Sequence, residues 1–200
     1  MFKRLLTFLL LFTATATFAQ EKAFPTILPL PTNIKHGNAN IKFEFTNETK
    51  IIYSLDNNYA KYAVEELNRV AESIFGKKLK KATKATTLNN IIFKTDGSIK
   101  AEGYILDITP ENIIIKAKDG AGMFYAVQTL KQIIPVQAYE TPLDLERVSL
   151  PTMKIDDAPH FPYRGFMLDC SRHFWDVETI KEVLDILAMH KMNRFHWHLT

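Results

Sequence analysis

The hydrophobic pattern of this chain changes character three times. Residues 5–12 form an apolar run behind the basic Lys3 and Arg4, and Thr17, Phe18 and Ala19 stand where a signal peptidase reads for small residues. A leader over residues 1–19 is expected, with cleavage leaving Gln20 as the new terminus. The run is too short for a membrane span, which needs about 20 apolar residues, so no stable membrane insertion is expected after cleavage. No cysteine stands directly after the run, between residues 13 and 20, which argues against a lipid anchor.

From residue 24 onward short strand patterns alternate with helix patterns. Residues 41–45 and 50–53 read as strands. Ala60, Ala63, Val64, Leu67, Val70, Ala71 and Ile74 then share one helix face, with Asn57 or Asn58 as the cap and Gly76 as a left-handed stop. The basic stretch KKLKKATKATT reads as a solvated loop, because it lacks the aromatic residues that a nucleic-acid surface interleaves with its lysines. Residues 91–93 resume a strand. Tyr104, Leu106 and Ile108 alternate, TPEN turns, and residues 112–116 return, which predicts a hairpin. Asp119 and Gly120 lead into a helix carrying Met123, Val127, Leu130 and Ile134 on one side and stopped by Pro135. Strands followed by a helix, twice over, predict an α+β domain across residues 20–158, a sheet with helices on one face. Pro142, Pro151, Pro159 and Pro162 punctuate the passage out of it, which puts the boundary near Ala158.

The last forty residues carry a strand, a helix and a strand. Gly165 to Asp169 is a short apolar run ending in a carboxylate. Asp176 is placed to cap a helix, Glu178 adds negative charge to its first turn, and Ile180, Val183, Leu184 and Leu187 make its apolar stripe. After Asn193 the period drops to two, as Phe195, Trp197 and Leu199 alternate with Arg194, His196 and His198. Strands joined by a helical crossover run parallel, so both carboxyl ends share one rim. That rim holds Asp169 and Arg172 from the first strand, and His198 and Thr200 from the second. In a (β/α)8 barrel it is the rim that carries chemistry. Residues 159–200 therefore read as the start of a (β/α)8 barrel, truncated at Thr200 before closure, and a fragment is the expected reading.

Composition narrows this little. Apolar residues make up 46% and charged residues 24% of the 200, as in ordinary globular proteins. Removing the leader takes away Lys3 and Arg4 and no acid, lowering the net charge from +3 to +1, so net charge supports neither a nucleic-acid nor an acidic-membrane partner. Cys170 is the only cysteine, so no intrachain disulfide forms and the core alone must hold the fold.

For Arg172 two readings stay open on the residues alone: a structural pair with a nearby acid, or a planar fork of donors for a ligand. Asp169 reads first as a hydrogen-bonding scaffold for its turn. Arg164 opens the first strand, at the rim away from chemistry, and reads as structural. His196 and His198 share a strand face, a possible metal geometry, but no further ligand follows at suitable spacing and HExxH is absent, so no metal is expected. Both are expected to face the barrel interior, with His198 nearer the rim. Trp197 alternates to the helix side and is expected to pack there, and Trp175 stays open as an aromatic stacking platform for a ligand.

RGFMLDCSRHFW, a helix, and KMNRFHWHLT resemble the opening of the catalytic barrel of glycoside hydrolase family 20, the β-N-acetylhexosaminidases. Upstream, ILPLPTNI, EGYILDIT and NIIIKAKDGAGMFYAVQTLKQII resemble the smaller domain that precedes that barrel. The resemblance implies an exported enzyme, periplasmic or secreted, that removes terminal β-linked N-acetylglucosamine or N-acetylgalactosamine from an oligosaccharide or glycan with retention and without a cofactor. It implies that the substrate's acetamido oxygen attacks the anomeric carbon, helped by an Asp-Glu pair beyond Thr200, so none of this chain's residues is catalytic. On this resemblance Arg172 binds hydroxyls of the terminal sugar, with Asp169 and His198 in support. The competing expectation is a noncatalytic carbohydrate- or partner-binding module.

Overall fold

The computed structural model describes residues 24–53, 58–140 and 145–200. The leader, Asn57 and Pro142 lie outside the described residues. In chain order the elements are β1 (Asn33–His36), β2 (Lys42–Thr46), β3 (Lys50–Ile52), α1 (Lys61–Phe75), β4 (Lys80–Ala82), β5 (Asn90–Thr95), β6 (Tyr104–Ile108) and β7 (Asn112–Ala117). They continue with α2 (Gly120–Ile133), the short α3 (Gln137–Glu140), β8 (Arg147–Pro151), β9 (Met153–Asp157), β10 (Gly165–Asp169), α4 (Val177–Met189) and β11 (Arg194–His198).

Among the described residues seven strands form one mixed sheet in the order β1-β9-β6-β7-β5-β3-β4. The predicted hairpin is its centre: β6 and β7 pair antiparallel, with Leu106 opposite Ile115. Because β6 is also antiparallel to β9, strands β7 and β9 run the same way, and α2 carries the chain between them. Side-chain alternation decides which face is core. Ile91, Phe93, Leu106, Ile113, Ile115 and Ile155 are buried on one face, while Ile92, Ile105 and Ile114 on the other are only partly covered. Helices α1 and α2 pack on each other beside the buried face, and Leu67, Val70 and Ile74 of α1 share one core with Met123, Val127 and Leu130 of α2. A separate ribbon of β2 and β8 joins the same core, with Phe45 edge-on to Phe75 at 5.0 Å.

The helix ends follow local chemistry. Gly76 adopts φ 70° and its N–H donates to the carbonyl of Glu72, so α1 stops where a left-handed residue is cheapest. Asp119 caps α2 by accepting from the Gly122 amide at 2.9 Å. The helix begins so close to the turn before β6 that a Cβ on Gly122 would stand 2.2 Å from the Gly103 carbonyl oxygen, which is why glycine occupies that site.

Two expectations are corrected. Asn58 does not cap α1: a 3-10 turn over Asn58–Ala60 leads into the helix, Ala60 at the cap position is already helical, and no side chain bonds there. The lysine-rich stretch is not all loop, since Lys80–Ala82 pairs parallel to β3 as the outer strand of the sheet. Lysines suit such an edge because their charge discourages another strand from adding to it. Strands β8 and β9, before residue 158, are elements that the sequence pattern leaves unassigned.

Charge is also buried within the helix pair. Glu66 lies on the buried face of α1 and is held by Lys131 and by Arg69 at 2.8 Å. Burial pushes its carboxyl up, but hydrogen bonding and attraction from Lys131 outweigh that and leave it below its ordinary range.

Candidate functional site

The βαβ unit forms as its pattern predicts. Strands β10 and β11 pair parallel in the register Gly165 to Arg194 through Asp169 to His198, so their carboxyl ends finish level. Asp176 caps α4 by accepting from the Thr179 amide at 2.8 Å, which holds its own carboxyl below the ordinary range. Leu184 and Leu187 of α4 line the same groove as Phe195, which places Phe195 and Trp197 on the helix side of the pair. Met167, Asp169, His196 and His198 therefore face the other way.

At the shared rim the structure brings Asp169, Arg172 and His198 together. One oxygen of Asp169 accepts from the amides of Ser171 at 3.0 Å and Arg172 at 3.1 Å, and lies 3.2 Å from Nδ1 of His198. Its other oxygen meets the Arg172 guanidinium at 3.1 Å. The Cys170 amide donates to the His198 carbonyl at 2.9 Å, so the turn after β10 is tied to the end of β11. Asp169 is thus a scaffold. The Arg172 side chain remains 86% exposed, and its fork projects from a turn whose backbone is already held.

The Asp169 carboxyl is held below its ordinary range, first by the Arg172 amide, then by His198, the Ser171 amide and the Arg172 charge. A depressed carboxyl organises the turn above its unfolded value, about 3.9, and releases it as pH falls through the lower folded value. An NMR titration of the Asp169 carboxyl carbon is expected to give a midpoint below that reference. A midpoint at or above it would remove Asp169 from this role.

The remaining candidates divide. The rings of His196 and His198 lie 6.2 Å apart, and among the described residues no group of three or more His, Cys, Asp or Glu side chains is placed to hold a metal ion. Trp197 is 48% exposed instead of packed away, with its indole N–H 3.1 Å from the Cys170 sulfur. Trp175 stands edge-on to His173 at 4.6 Å. Arg164 is structural, as its position predicts. Its guanidinium donates to the carbonyls of Lys191 and Phe161, each at 2.7 Å, to Tyr125 at 3.1 Å and to the Glu102 carboxylate.

Sequence reasoning missed the polar seam that joins the sheet domain to the βαβ unit. Lys191, 6% exposed, donates to the Tyr104 hydroxyl at 2.8 Å and to Asp157 at 2.9 Å. Burial pushes the Asp157 carboxyl up, but Lys191 beside it wins and holds it below its ordinary range. Burial pulls the Lys191 ammonium down by more than Asp157 restores. Only the lysine's place in a turn after an amphipathic helix is visible in sequence, and that position is ordinarily solvated.

Comparison with known proteins agrees with this architecture. The profile of "Glycosyl hydrolase family 20, domain 2" matches residues 24–158, and that of "Glycosyl hydrolase family 20, catalytic domain" matches residues 161–200. A β-hexosaminidase of Porphyromonas gingivalis is 36% identical over 87% of this chain and 22% of its own length. The GH20 exo-β-N-acetylglucosaminidase of Vibrio harveyi, solved with N-acetylglucosamine, superposes with a TM-score of 0.71 at 32% identity, over 89% of this chain and 26% of the neighbour. The N-acetyl-β-hexosaminidase of Streptomyces plicatus, solved with thio-NAglucal, superposes with a TM-score of 0.76 at 28% identity, over 90% of this chain and 35% of the neighbour. The chain thus spans about a fifth to a third of the length of these relatives. Among the described residues no helix is long and apolar enough to cross a membrane. With the first profile covering most of the chain and the second taking up the βαβ unit, the chain belongs to glycosyl hydrolase family 20.

Proposed function

We propose that these residues are the N-terminal portion of an exported β-N-acetylhexosaminidase that removes terminal β-linked N-acetylglucosamine or N-acetylgalactosamine. The observation that carries this reading is the Arg172 fork, exposed at the rim where both parallel strands end and held in place by Asp169. A planar guanidinium offers fixed donors to adjacent hydroxyls of one sugar ring, which a flexible ammonium does not. The named relatives are hexosaminidases, and the Vibrio harveyi neighbour was solved with N-acetylglucosamine.

On this reading the leader directs export, the substrate's acetamido oxygen attacks the anomeric carbon with retention, and the Asp-Glu pair that orients it and protonates the leaving oxygen lies after Thr200. Family 20 is an exception to the scheme in which two enzyme carboxylates do the work. The noncatalytic module is the weaker reading. Among the described residues β10 and β11 pair only with each other, and Met167, Trp197 and Leu199 are about half exposed or more, an unfinished surface.

The test is an assay with an aryl β-N-acetylglucosaminide. The full-length protein is expected to release the aryl group with retention of configuration, and residues 20–200 alone are expected to show no turnover. Turnover by the short chain would refute the placement of the acid, and an inactive full-length protein would refute the hydrolase reading.

A further inference from the structure

A single carboxylate of the sheet domain grips the starts of both β10 and β11. Glu102 accepts from the Arg164 guanidinium and, at 3.2 Å and 3.4 Å, from the Asn193 side-chain amide. Arg164 immediately precedes β10 and Asn193 immediately precedes β11. These two residues are also locked to each other. The Asn193 side-chain oxygen accepts from the Arg164 amide at 3.0 Å, and the Arg164 carbonyl accepts from the amides of Asn193 at 3.0 Å and Arg194 at 3.2 Å. The stagger of the strands is thus set at the end where Glu102 sits, opposite the rim that carries Asp169, Arg172 and His198.

Glu102 is itself fixed. Its backbone is in the left-handed region at φ 59°, an uncommon conformation for a residue with a side chain. It is held there because the Asp119 carboxylate takes the Glu102 amide at 2.9 Å on one oxygen and the Gly122 amide at 2.9 Å on the other. The cap of α2 therefore orients the Glu102 side chain before it meets the βαβ unit. The surrounding structure holds a locally unfavourable backbone, as is typical where a side chain must be aimed.

We infer that Glu102 is a positioning residue: it acts through Arg164 and Asn193 to fix the register of β10 against β11, and so places the Arg172 turn at the far ends of those strands. Register is the property through which one end of a strand pair reaches the other, because a slip relocates every side chain along both strands. A misplacement of about 1 Å at a substrate contact can cost about a hundredfold in rate.

The experiment uses the full-length enzyme carrying Glu102→Ala, Arg172→Ala and both. Amide exchange is followed at Ser171 and Arg172, and kcat and KM are measured with the aryl β-N-acetylglucosaminide. Glu102→Ala is expected to speed exchange at both rim amides while leaving the β6–β7 hairpin protected, and to lower kcat/KM about tenfold, mainly through KM. In the Arg172→Ala background it is expected to cost little more, because the contact it positions is already gone. Glu102→Gln, which keeps one oxygen for Arg164, is expected to fall between, and it carries the same measurements if the alanine variant does not accumulate folded. Unchanged exchange at the rim, or an equal loss of kcat/KM in both backgrounds, would overturn the inference. The kinetic arm rests on the hydrolase reading and the exchange arm does not. An inactive wild type would therefore end that reading, while the exchange result alone would decide the role of Glu102.

Discussion

Replacing Lys191 by methionine is expected to destabilise the protein by roughly 3–5 kcal/mol, the usual cost of removing one partner from a buried ion pair. The ammonium is the counter-charge for Asp157, and the two side chains are only 8% and 13% exposed. Without it, Asp157 keeps its bonds from Thr32 and Tyr104 but remains a charge in a site with little water. Combining Lys191→Met with Asp157→Asn is expected to restore part of the loss, because the stranded charge disappears. Urea denaturation of the wild type and the variants measures this. A loss below about 1 kcal/mol for Lys191→Met would put the pair in the class of surface bridges. The acid limb follows the same logic. Asp157 has a folded value below its unfolded one, so its stabilisation is in place above about pH 3.9 and disappears as pH falls through the folded value.

In the full-length enzyme Arg172→Ala is expected to lower kcat/KM about a hundredfold. A hydrogen bond to a charged donor contributes about 1.5–3 kcal/mol, and each 1.4 kcal/mol is tenfold, so one or two lost sugar contacts reach that size. The fold should be unaffected, because the side chain is largely in water and an exposed pair such as the one with Asp169 stabilises by about 1 kcal/mol at most. Arg172→Lys keeps the charge and loses the fork, and is expected to recover less than tenfold. Values of kcat/KM within twofold of wild type for the alanine variant would leave Arg172 as a turn residue only.

Local pattern revealed the elements whose signal is local. The β6–β7 hairpin, the α2 cap at Asp119, the stop at Gly76 and the whole β10–α4–β11 unit all appear in the residues themselves, because period, cap and turn chemistry act over a few positions. Strands β1, β4, β8 and β9 did not. Strand β1 reads Asn-Ile-Lys-His and β4 reads Lys-Lys-Ala, and each becomes a strand only because a distant partner offers an edge. Strand β9 pairs with β6 across roughly fifty residues, which no window on the sequence contains. At the rim, the meeting of Asp169, Arg172 and His198 was legible because parallel strands of one βαβ unit end together. The seam of Glu102, Arg164, Asn193, Asp157 and Lys191 was not, since charged residues flanking turns look the same whether water or another domain receives them.

The bond from the Cys170 amide to the His198 carbonyl also sets an order of events during folding. The sheet domain is complete by Asp157 and can fold before the strands after it have paired, with Glu102 already aimed by the α2 cap. The turn that carries Arg172 cannot settle then, because its tie comes from a residue nearly thirty positions further on. Each folding chain must therefore expose that turn until His198 has taken its place in β11, and a delay in forming β11 would prolong the exposure.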